Sequence, residues 1–407
     1  MVRAVAVVVA AASLYSRVAS LALLALGARA LSFEEFGMLA VSIGVAIAVA
    51  NTFAMGAGDQ IAVQSVANPR AAWRFVFQSS ALLLAVSGIS TAAGLVYSPP
   101  VAVSVLVNSV SICCSTAACM TIMNFLRGSG WVASGSILAY VLMPTLRTAA
   151  VGIIILIPPA TNLGAVMLAV NFASILAAVI SLSIAFLASR QLGVVPTVCR
   201  TTTTRRQAVL IGTAVATAWG VLSQGDVSAL AIFRDPATAG EFTPTMRLME
   251  ALTALALGVK FARTRHLVTN SDRGLQLRIL VPLGIAYCIS TVLVFATAPV
   301  VLAVTFGESY RFDYQVALIL APAYFLSSVV SILLQILIAR GSVDQVTSWT
   351  AAIVGLAILL LSVGAITGGA VGVAAADLII FGTWFAVLLG LEKKSRPNKR
   401  SERKGQE

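Results

Sequence analysis

Twelve apolar blocks of about 20 residues, separated by short polar gaps, make up most of this chain. An apolar block of 18 or more residues has the length of a membrane-spanning helix. The composition agrees, because 59% of the 407 residues are hydrophobic and only 10% are charged, whereas soluble domains carry roughly a quarter of their residues as charged side chains. The sequence therefore predicts an all-α polytopic membrane protein with about twelve transmembrane helices.

The predicted spans share an unbroken apolar character without the alternation of period two that a β-barrel strand would need. They are residues 4–26, 37–57, 75–97, 101–123, 133–157, 163–187, 208–232, 242–259, 279–303, 315–338, 347–367 and 370–391.

The basic residues of the short gaps predict the orientation, because cytoplasmic gaps are enriched in Lys and Arg. If the N-terminus is inside, 21 basic residues fall on the inside and only Arg29, Arg234 and Arg311 fall outside. One span more or fewer would mix these two sets. We therefore expect both termini to be cytoplasmic. The same placement assigns the excess of 27 basic over 15 acidic residues to membrane topology and not to nucleic acid.

Short matches between the first and second six spans predict an internal repeat. They pair Glu35-Phe36 with Glu241-Phe242, Arg127-Gly128-Ser129 with Arg340-Gly341-Ser342, and Gly164-Ala165-Val166 with Gly369-Ala370-Val371. Since six helices is an even number, the two halves would have the same orientation, as in transporters that rock two bundles about a shared site. The predicted domains are two six-helix bundles, 1–200 and 201–391, and a basic cytoplasmic tail, 392–407.

The sequence offers little support for catalysis. It lacks the phosphate loop of an ATPase, and the five cysteines do not have metal-ligand spacing. The single histidine, His266, lies in a basic gap, and external gaps of about ten residues leave little room for a catalytic domain. We expect a protein that is not an enzyme and has neither cofactor nor metal.

Six ionisable residues fall inside the apolar blocks: Arg17, Arg147, Asp226, Arg247, Glu250 and Asp377. Because charges are costly in lipid, such residues normally face a bundle interior or a watery cavity.

The planar donor fork of arginine matches the paired oxygens of phosphate and carboxylate groups. We therefore predict that Arg17, Arg147 and Arg247 bind anionic groups of a substrate.

The remaining polar residues of the spans complete the predicted site. Gln224 and Tyr140 would contact the substrate beside the arginines, while Asp226, Glu250 and Asp377 are candidates for a coupling ion.

Structural ion pairing is the alternative for these charges. Arg247 and Glu250, three residues apart on one helix, are placed to pair with each other. Arg17 has no acidic residue in its own span, so a structural partner for it would come from another helix, with Asp226 or Asp377 the expected choice.

Two further segments have simpler interpretations. The glycines at positions 364, 368 and 372 recur every fourth residue, which is typical of closely packed helices. The final basic run, Lys393 to Lys404, is predicted to bind anionic lipid headgroups.

Several motifs resemble those of bacterial polysaccharide flippases that move lipid-linked oligosaccharides such as O-antigen. The resembling segments are Ala28–Gly37, Gly240-Glu241-Phe242 with Arg247-Leu248, Asp226, Phe306-Gly307-Glu308-Ser309-Tyr310 and Gly369–Ala374. The chain departs from the family pattern at Phe242, where a tyrosine is usual.

The resemblance implies the fold of the multidrug, oligosaccharidyl-lipid and polysaccharide exporter superfamily, with two lobes around a central cavity. It also implies transport of an undecaprenyl-diphosphate-linked oligosaccharide across the bacterial cytoplasmic membrane, in partnership with a polysaccharide polymerase and glycosyltransferases. Two alternatives stay open: a cation-coupled multidrug antiporter of the same superfamily, and a membrane polysaccharide polymerase or ligase.

Overall fold

A computed structural model describes residues 2–67, 69–97, 101–157, 162–191, 224–253, 273–339 and 343–394, and the statements below refer to these residues. The helices of the first half are α1 (Val2–Ala30), α2 (Phe33–Ala67), α3 (Pro69–Tyr97), α4 (Val101–Gly128), α5 (Val132–Ile155) and α6 (Leu163–Gln191). Helix α5 contains a π-helical turn at Leu138–Leu142.

The second half begins with α7, described over residues 224–233. It continues with α8 (Pro236–Ala251), α9 (Arg273–Phe306), α10 (Tyr314–Ala339) and the long helical stretch Val343–Lys394. The predicted domain boundary near residue 200, the gap that holds His266 and the tail beyond residue 394 lie outside the described residues.

The stretch Val343–Lys394 is a hairpin of two helices that turns at Gly369. Gly369 has φ 56° and ψ −134°, a left-handed conformation that glycine adopts without steric cost. A methyl group on Gly364 would lie 2.5 Å from the carbonyl oxygen of Gly372, so the two arms touch through their backbones. We number the arms α11 (343–368) and α12 (370–394). The predicted close packing is confirmed at Gly364 and Gly372, whereas a methyl group on Gly368 would meet nothing within 4 Å.

Within the described part of the chain, nine helices are long and apolar enough to cross a membrane. One of them, Gln345–Glu392, contains both arms of the hairpin. Large apolar side chains on the outer faces of the bundle are more than 60% exposed, including those of Ile89, Val292 and Leu318. Such a surface suits lipid and not water. The prediction of an all-α polytopic membrane protein is confirmed.

The two halves meet mainly along α2 and α8, with a smaller contact between α1 and α9. Glycines permit the closest approach, near the start of both helices. A methyl group on Gly37 would lie 1.7 Å from the carbonyl oxygen of Pro236, and one on Gly240 would lie 2.4 Å from that of Phe33. Because neither side could give way without moving backbone, the halves are in direct backbone contact at the end of the bundle that the sequence predicts to be external.

Side-chain caps begin both contacting helices. At α2, the Ser32 hydroxyl accepts from the Glu35 amide at 3.3 Å, while the Glu35 carboxylate accepts from the Ser32 amide at 3.2 Å. This reciprocal pair is a capping box. At α8, Asp235 accepts from the amide of Thr238 at 2.7 Å and Pro236 opens the helix, as expected for a strong helix start.

Candidate functional site

A charged cluster joins the two halves in the interior of the bundle. On α8, Arg247 Nη1 donates to Glu250 Oε2 at 2.6 Å, which confirms the predicted pairing of these neighbours. Arg247 Nη2 donates to Gln224 Oε1 on α7 at 2.5 Å. Arg17 of α1 reaches across from the first half to Glu250, with Nη1 3.9 Å from Oε1. We call Arg17, Gln224, Arg247 and Glu250 the central cluster.

The prediction that Arg17 pairs with Asp226 or Asp377 was wrong. The structure pairs Arg17 with Glu250 and not with Asp226 or Asp377. Arg17 Nη1 also donates to the backbone carbonyl oxygen of Glu250 at 3.1 Å and to Thr253 Oγ1 at 3.0 Å. The sequence could not select among the acidic residues, because the choice depends on which part of the second half α1 approaches.

The central cluster is neither sealed in the core nor fully solvated. The side chains of Arg17, Glu250 and Arg247 are 28%, 24% and 16% exposed, respectively. Both guanidinium groups therefore remain within reach of a ligand. Two positive charges and one negative charge leave the cluster with a net charge of +1.

Helix α2 contributes to the cluster through the absence of a side chain. A methyl group on Gly44 would lie 2.4 Å from Gln224 Oε1, so the glycine leaves room for the amide that accepts from Arg247. Arg247 Nε is buried and has no hydrogen-bond partner within the described residues. The sequence reasoning missed Gly44, because nothing in its own helix distinguishes it from other small residues.

A buried acidic pair lies beside the central cluster in the second half. Asp226 of α7 and Asp377 of α12 are fully buried and close enough to interact electrostatically with each other. Asp226 Oδ1 accepts from the amide of Val227 at 2.7 Å. Asp226 Oδ2 and both carboxylate oxygens of Asp377 have no hydrogen-bond partner among the residues that the structure describes. The structure thus brings two of the three predicted ion-coupling residues together.

The sequence reasoning also missed Tyr324 of α10. This buried hydroxyl lies within electrostatic range of Asp226, Asp377 and the charged pair of α8, and it has no hydrogen-bond partner in the described part of the chain. The available signal was a tyrosine close to Ser327, Ser328 and Ser331 in one predicted span. Its acidic neighbours lie on other helices, so only the tertiary structure identifies them.

Arg147 does not join the central cluster. It is 4% exposed and lies inside the first half, where Nε donates to Ser174 Oγ at 2.7 Å and Nη2 donates to Thr116 Oγ1 at 2.6 Å. These partners belong to α6 and α4, whereas Thr145 and Thr148 of the same helix face α1. The structure therefore separates Arg147 from Arg17.

The π-helical turn at Leu138–Leu142 changes which side chains of α5 share a face. Such a turn inserts one residue into the helix, so Ser136 and Arg147 no longer share the face that a regular helix would give them. Tyr140 lies in this turn, half-buried and within electrostatic range of Arg127 at the end of α4. It is not brought to the central cluster.

An aromatic cluster closes the predicted outer end. Phe36 of α2 packs against Phe306 and Tyr310 of the second half, with ring centroids 6.4 and 5.8 Å apart, and Phe33 lies 4.8 Å from Tyr310. Arg29 also donates to the carbonyl oxygen of Val304. Burial, aided by the Glu241 carboxylate, raises the pKa of Tyr310 above its usual value, so this hydroxyl stays neutral.

A cavity of about 390 Å³ lies beside this closed end, lined in part by Phe33, Thr238, Glu241, Ser309 and Arg311. It does not include any residue of the central cluster. The cavity and the charged cluster are therefore separate features of the described structure.

Neither a family model nor a curated protein matches the chain. Solved transporters share its fold. They include an inward-facing multidrug resistance MATE family transporter of the MOP superfamily (15% identity, 94% of this chain and 95% of that one, TM-score 0.59). An outward-facing conformation of a MATE family transporter also matches (15% identity, 97% and 96%, TM-score 0.53).

A third match is a MOP superfamily transporter from Pyrococcus furiosus whose binding pocket is described as having reverse polarity (16% identity, 97% and 96%, TM-score 0.52). These similarities show the fold of MATE and other MOP superfamily transporters along nearly the whole chain. They confirm the fold that the motifs implied, while membership of the superfamily and of the polysaccharide flippase family stays a prediction. The matching structures named above are described as transporters.

Proposed function

We propose that this protein moves an undecaprenyl-diphosphate-linked oligosaccharide across a bacterial cytoplasmic membrane by alternating access. Solved transporters with this fold exist in both outward-facing and inward-facing conformations. The observation that carries the proposal is the convergence of Arg17 and Arg247, from different halves of the chain, on one carboxylate. A site at the interface between the halves is where alternating access requires the substrate.

The chemistry of the central cluster favours an anionic substrate. Guanidinium groups bind phosphate oxygens through two parallel hydrogen bonds, and Arg17 and Arg247 are both partly exposed. A diphosphate headgroup would complement the two guanidinium groups, while the lipid tail would remain in the bilayer. Gln224, which accepts from Arg247, is the predicted additional contact to the substrate.

The buried acidic pair supports a separate role in energy coupling. Asp226 and Asp377 have carboxylate oxygens without hydrogen-bond partners in the described residues, and acidic side chains inside a membrane often mark the path of an ion. Glu250 is the third candidate. The same acidic pair favours the second candidate function, a cation-coupled antiporter of drugs, although the two guanidinium groups of the central cluster would repel a cationic drug.

The other proposed partners follow from location. The basic tail from Lys393 onward would bind anionic lipids on the cytoplasmic face. Glycosyltransferases would supply the transported unit, and a polysaccharide polymerase would consume it.

A transport assay in liposomes tests the proposal. The purified protein would be reconstituted with a fluorescent polyprenyl-diphosphate-linked saccharide, and the fraction reaching the outer leaflet would be followed by quenching with a membrane-impermeant reductant. We expect transport by the wild type and little transport by Arg17→Gln or Arg247→Gln. Arg190→Gln is the matched control, because Arg190 is exposed at the end of α6 and stacks on Phe186.

Uptake of ethidium by the same liposomes separates the two candidate functions. Movement of ethidium without movement of the saccharide, sensitive to Asp226→Asn or Asp377→Asn, would favour the antiporter. Equal transport by the Arg17, Arg247 and Arg190 variants would contradict the assignment of the anion site.

A further inference from the structure

Glu250 holds an unusual position between the two halves of the chain. Its carboxylate directs Oε2 at Arg247 of its own helix, at 2.6 Å, and Oε1 towards Arg17 of the other half, at 3.9 Å. One carboxylate thus faces two guanidinium groups that converge from different bundles. This is the arrangement that an anionic ligand would adopt if it bridged the two halves.

The carboxylate satisfies its two partners only in part. Of the two contacts, only the one to Arg247 is within hydrogen-bond distance. Arg247 Nε is buried without a partner in the described residues. A diphosphate offers more acceptor oxygens and more negative charge than one carboxylate, so it would satisfy these donors better.

The anchoring of Arg17 is independent of this carboxylate. Arg17 Nη1 donates to the backbone carbonyl oxygen of Glu250 and to Thr253 Oγ1. The Glu250 side chain is also 24% exposed and lies in the last turn of α8. It can therefore turn away while Arg17 and Arg247 keep their places.

We infer that Glu250 occupies, in the empty transporter, the position between Arg17 and Arg247 that an anionic group of the substrate takes during transport. This inference rests on the proposed function and adds a determinant of specificity to it. A ligand must displace the carboxylate in order to bind, so the site favours a diphosphate over anions with less charge. The Glu250 carboxylate leaves Arg17 only when a substrate takes its place. Because Arg17 and Glu250 belong to different halves, binding would change a contact at the interface between the halves.

Binding of farnesyl diphosphate to the purified full-length protein tests the inference, with farnesol as the uncharged comparison. In Glu250→Gln the competing charge is gone, while the backbone anchor of Arg17 remains. We expect this variant to bind farnesyl diphosphate about twofold to fivefold more tightly than the wild type, because an exposed ion pair contributes up to about 1 kcal/mol. Glu241→Gln is the matched control, because it removes the same charge from an exposed position of α8 and should leave the affinity unchanged.

The outcomes separate this inference from the proposed function. Weaker binding by Arg17→Gln and Arg247→Gln, together with unchanged or weaker binding by Glu250→Gln, would overturn the inference and leave the anion site intact. Normal binding by both arginine variants would overturn both. If Glu250→Gln did not yield folded protein, Glu250→Asp would decide, because its shorter side chain retracts the carboxylate from Arg247. Affinity should then rise by a smaller factor, and an unchanged affinity would overturn the inference.

Discussion

Arg17 of α1 donates to the backbone carbonyl oxygen of Glu250 near the end of α8, at 3.1 Å, and also approaches the Glu250 carboxylate. The two residues are 233 positions apart in the chain and belong to different halves. This contact places Arg17 at the interface between the two halves. The proposed alternating access would require this interface to rearrange.

Replacement of Arg17 should distinguish a role in substrate binding from a purely structural role. Arg17→Ala should lower transport about tenfold to a hundredfold at normal protein abundance, because hydrogen bonds to charged groups contribute about 1.5–3 kcal/mol. Arg17→Lys should recover part of the activity, since an ammonium keeps the charge but loses the donor fork. Transport of the fluorescent saccharide and the amount of protein in the membrane are the two measurements.

A purely structural role for Arg17 predicts a different pattern. Arg17→Ala would then reduce abundance, and adding Glu250→Ala would restore it along with transport. Normal transport by Arg17→Ala at normal abundance would contradict both roles.

Gly44→Ala should damage the central cluster without damaging the fold. The added methyl group would meet the end of the flexible Gln224 side chain, which can move, so Arg247 would lose its amide acceptor. We expect transport to fall roughly fivefold, corresponding to the loss of a hydrogen bond of about 1 kcal/mol. Gly355→Ala is the control, because a methyl group there meets nothing within 4 Å. A lower melting temperature with unchanged transport would show that Gly44 serves packing alone.

Gly37→Ala should loosen the closed outer end. Its methyl group would collide with the backbone of Pro236, so α2 and α8 would have to separate. In a variant without native cysteines, Tyr310→Cys should react slowly with a membrane-impermeant maleimide and react faster once Gly37→Ala is added. Gly88→Ala, where the added methyl group is unhindered, should not change the rate. Equal labelling rates with and without Gly37→Ala would refute this account of the closed end.

Asp235 should stabilise the start of α8 in a manner that depends on pH. The amide and hydroxyl of Thr238 donate to its carboxylate at 2.7 and 2.8 Å and hold the pKa of Asp235 below its usual value. A lowered pKa means that the stabilisation is complete above the unfolded value of about 3.9 and is lost as the pH falls through the lower, folded value.

Thermal unfolding in detergent can check this capping interaction. Asp235→Ala should destabilise the protein by about 1 kcal/mol at neutral pH, the usual cost of losing a helix cap. Asp235→Asn should remain close to the wild type, because asparagine caps helices equally well, and it should lose the acid-dependent component. Equal stability of Asp235→Ala and the wild type at neutral pH would exclude a capping contribution.

The predicted topology can be tested with reporter fusions. Fusions at Gly193 and Lys394 should report a cytoplasmic location, and a fusion at Pro236 should report an external one, because 21 basic residues lie in the predicted inside gaps and three in the outside gaps. An external signal at Gly193 would contradict the arrangement of two six-helix halves.

The sequence alone determined the features that depend on local chemistry. The apolar blocks predicted the helices because the thickness of the bilayer fixes the length of a span, and Gly369 separated the last two blocks where the hairpin turns. The pairing of Arg247 with Glu250 was also predictable, because three residues along a helix bring two side chains to one face.

Only the tertiary structure decided how distant parts of the chain combine. It paired Arg17 with Glu250. It also placed Arg147 between Thr116 and Ser174, and Gln224 beside Gly44. A helical pattern records which side chains share a face but not which neighbour that face meets. In a chain whose helices are nearly all apolar, many pairings would bury similar surface, so the partner of each charge follows from the packing of the whole bundle.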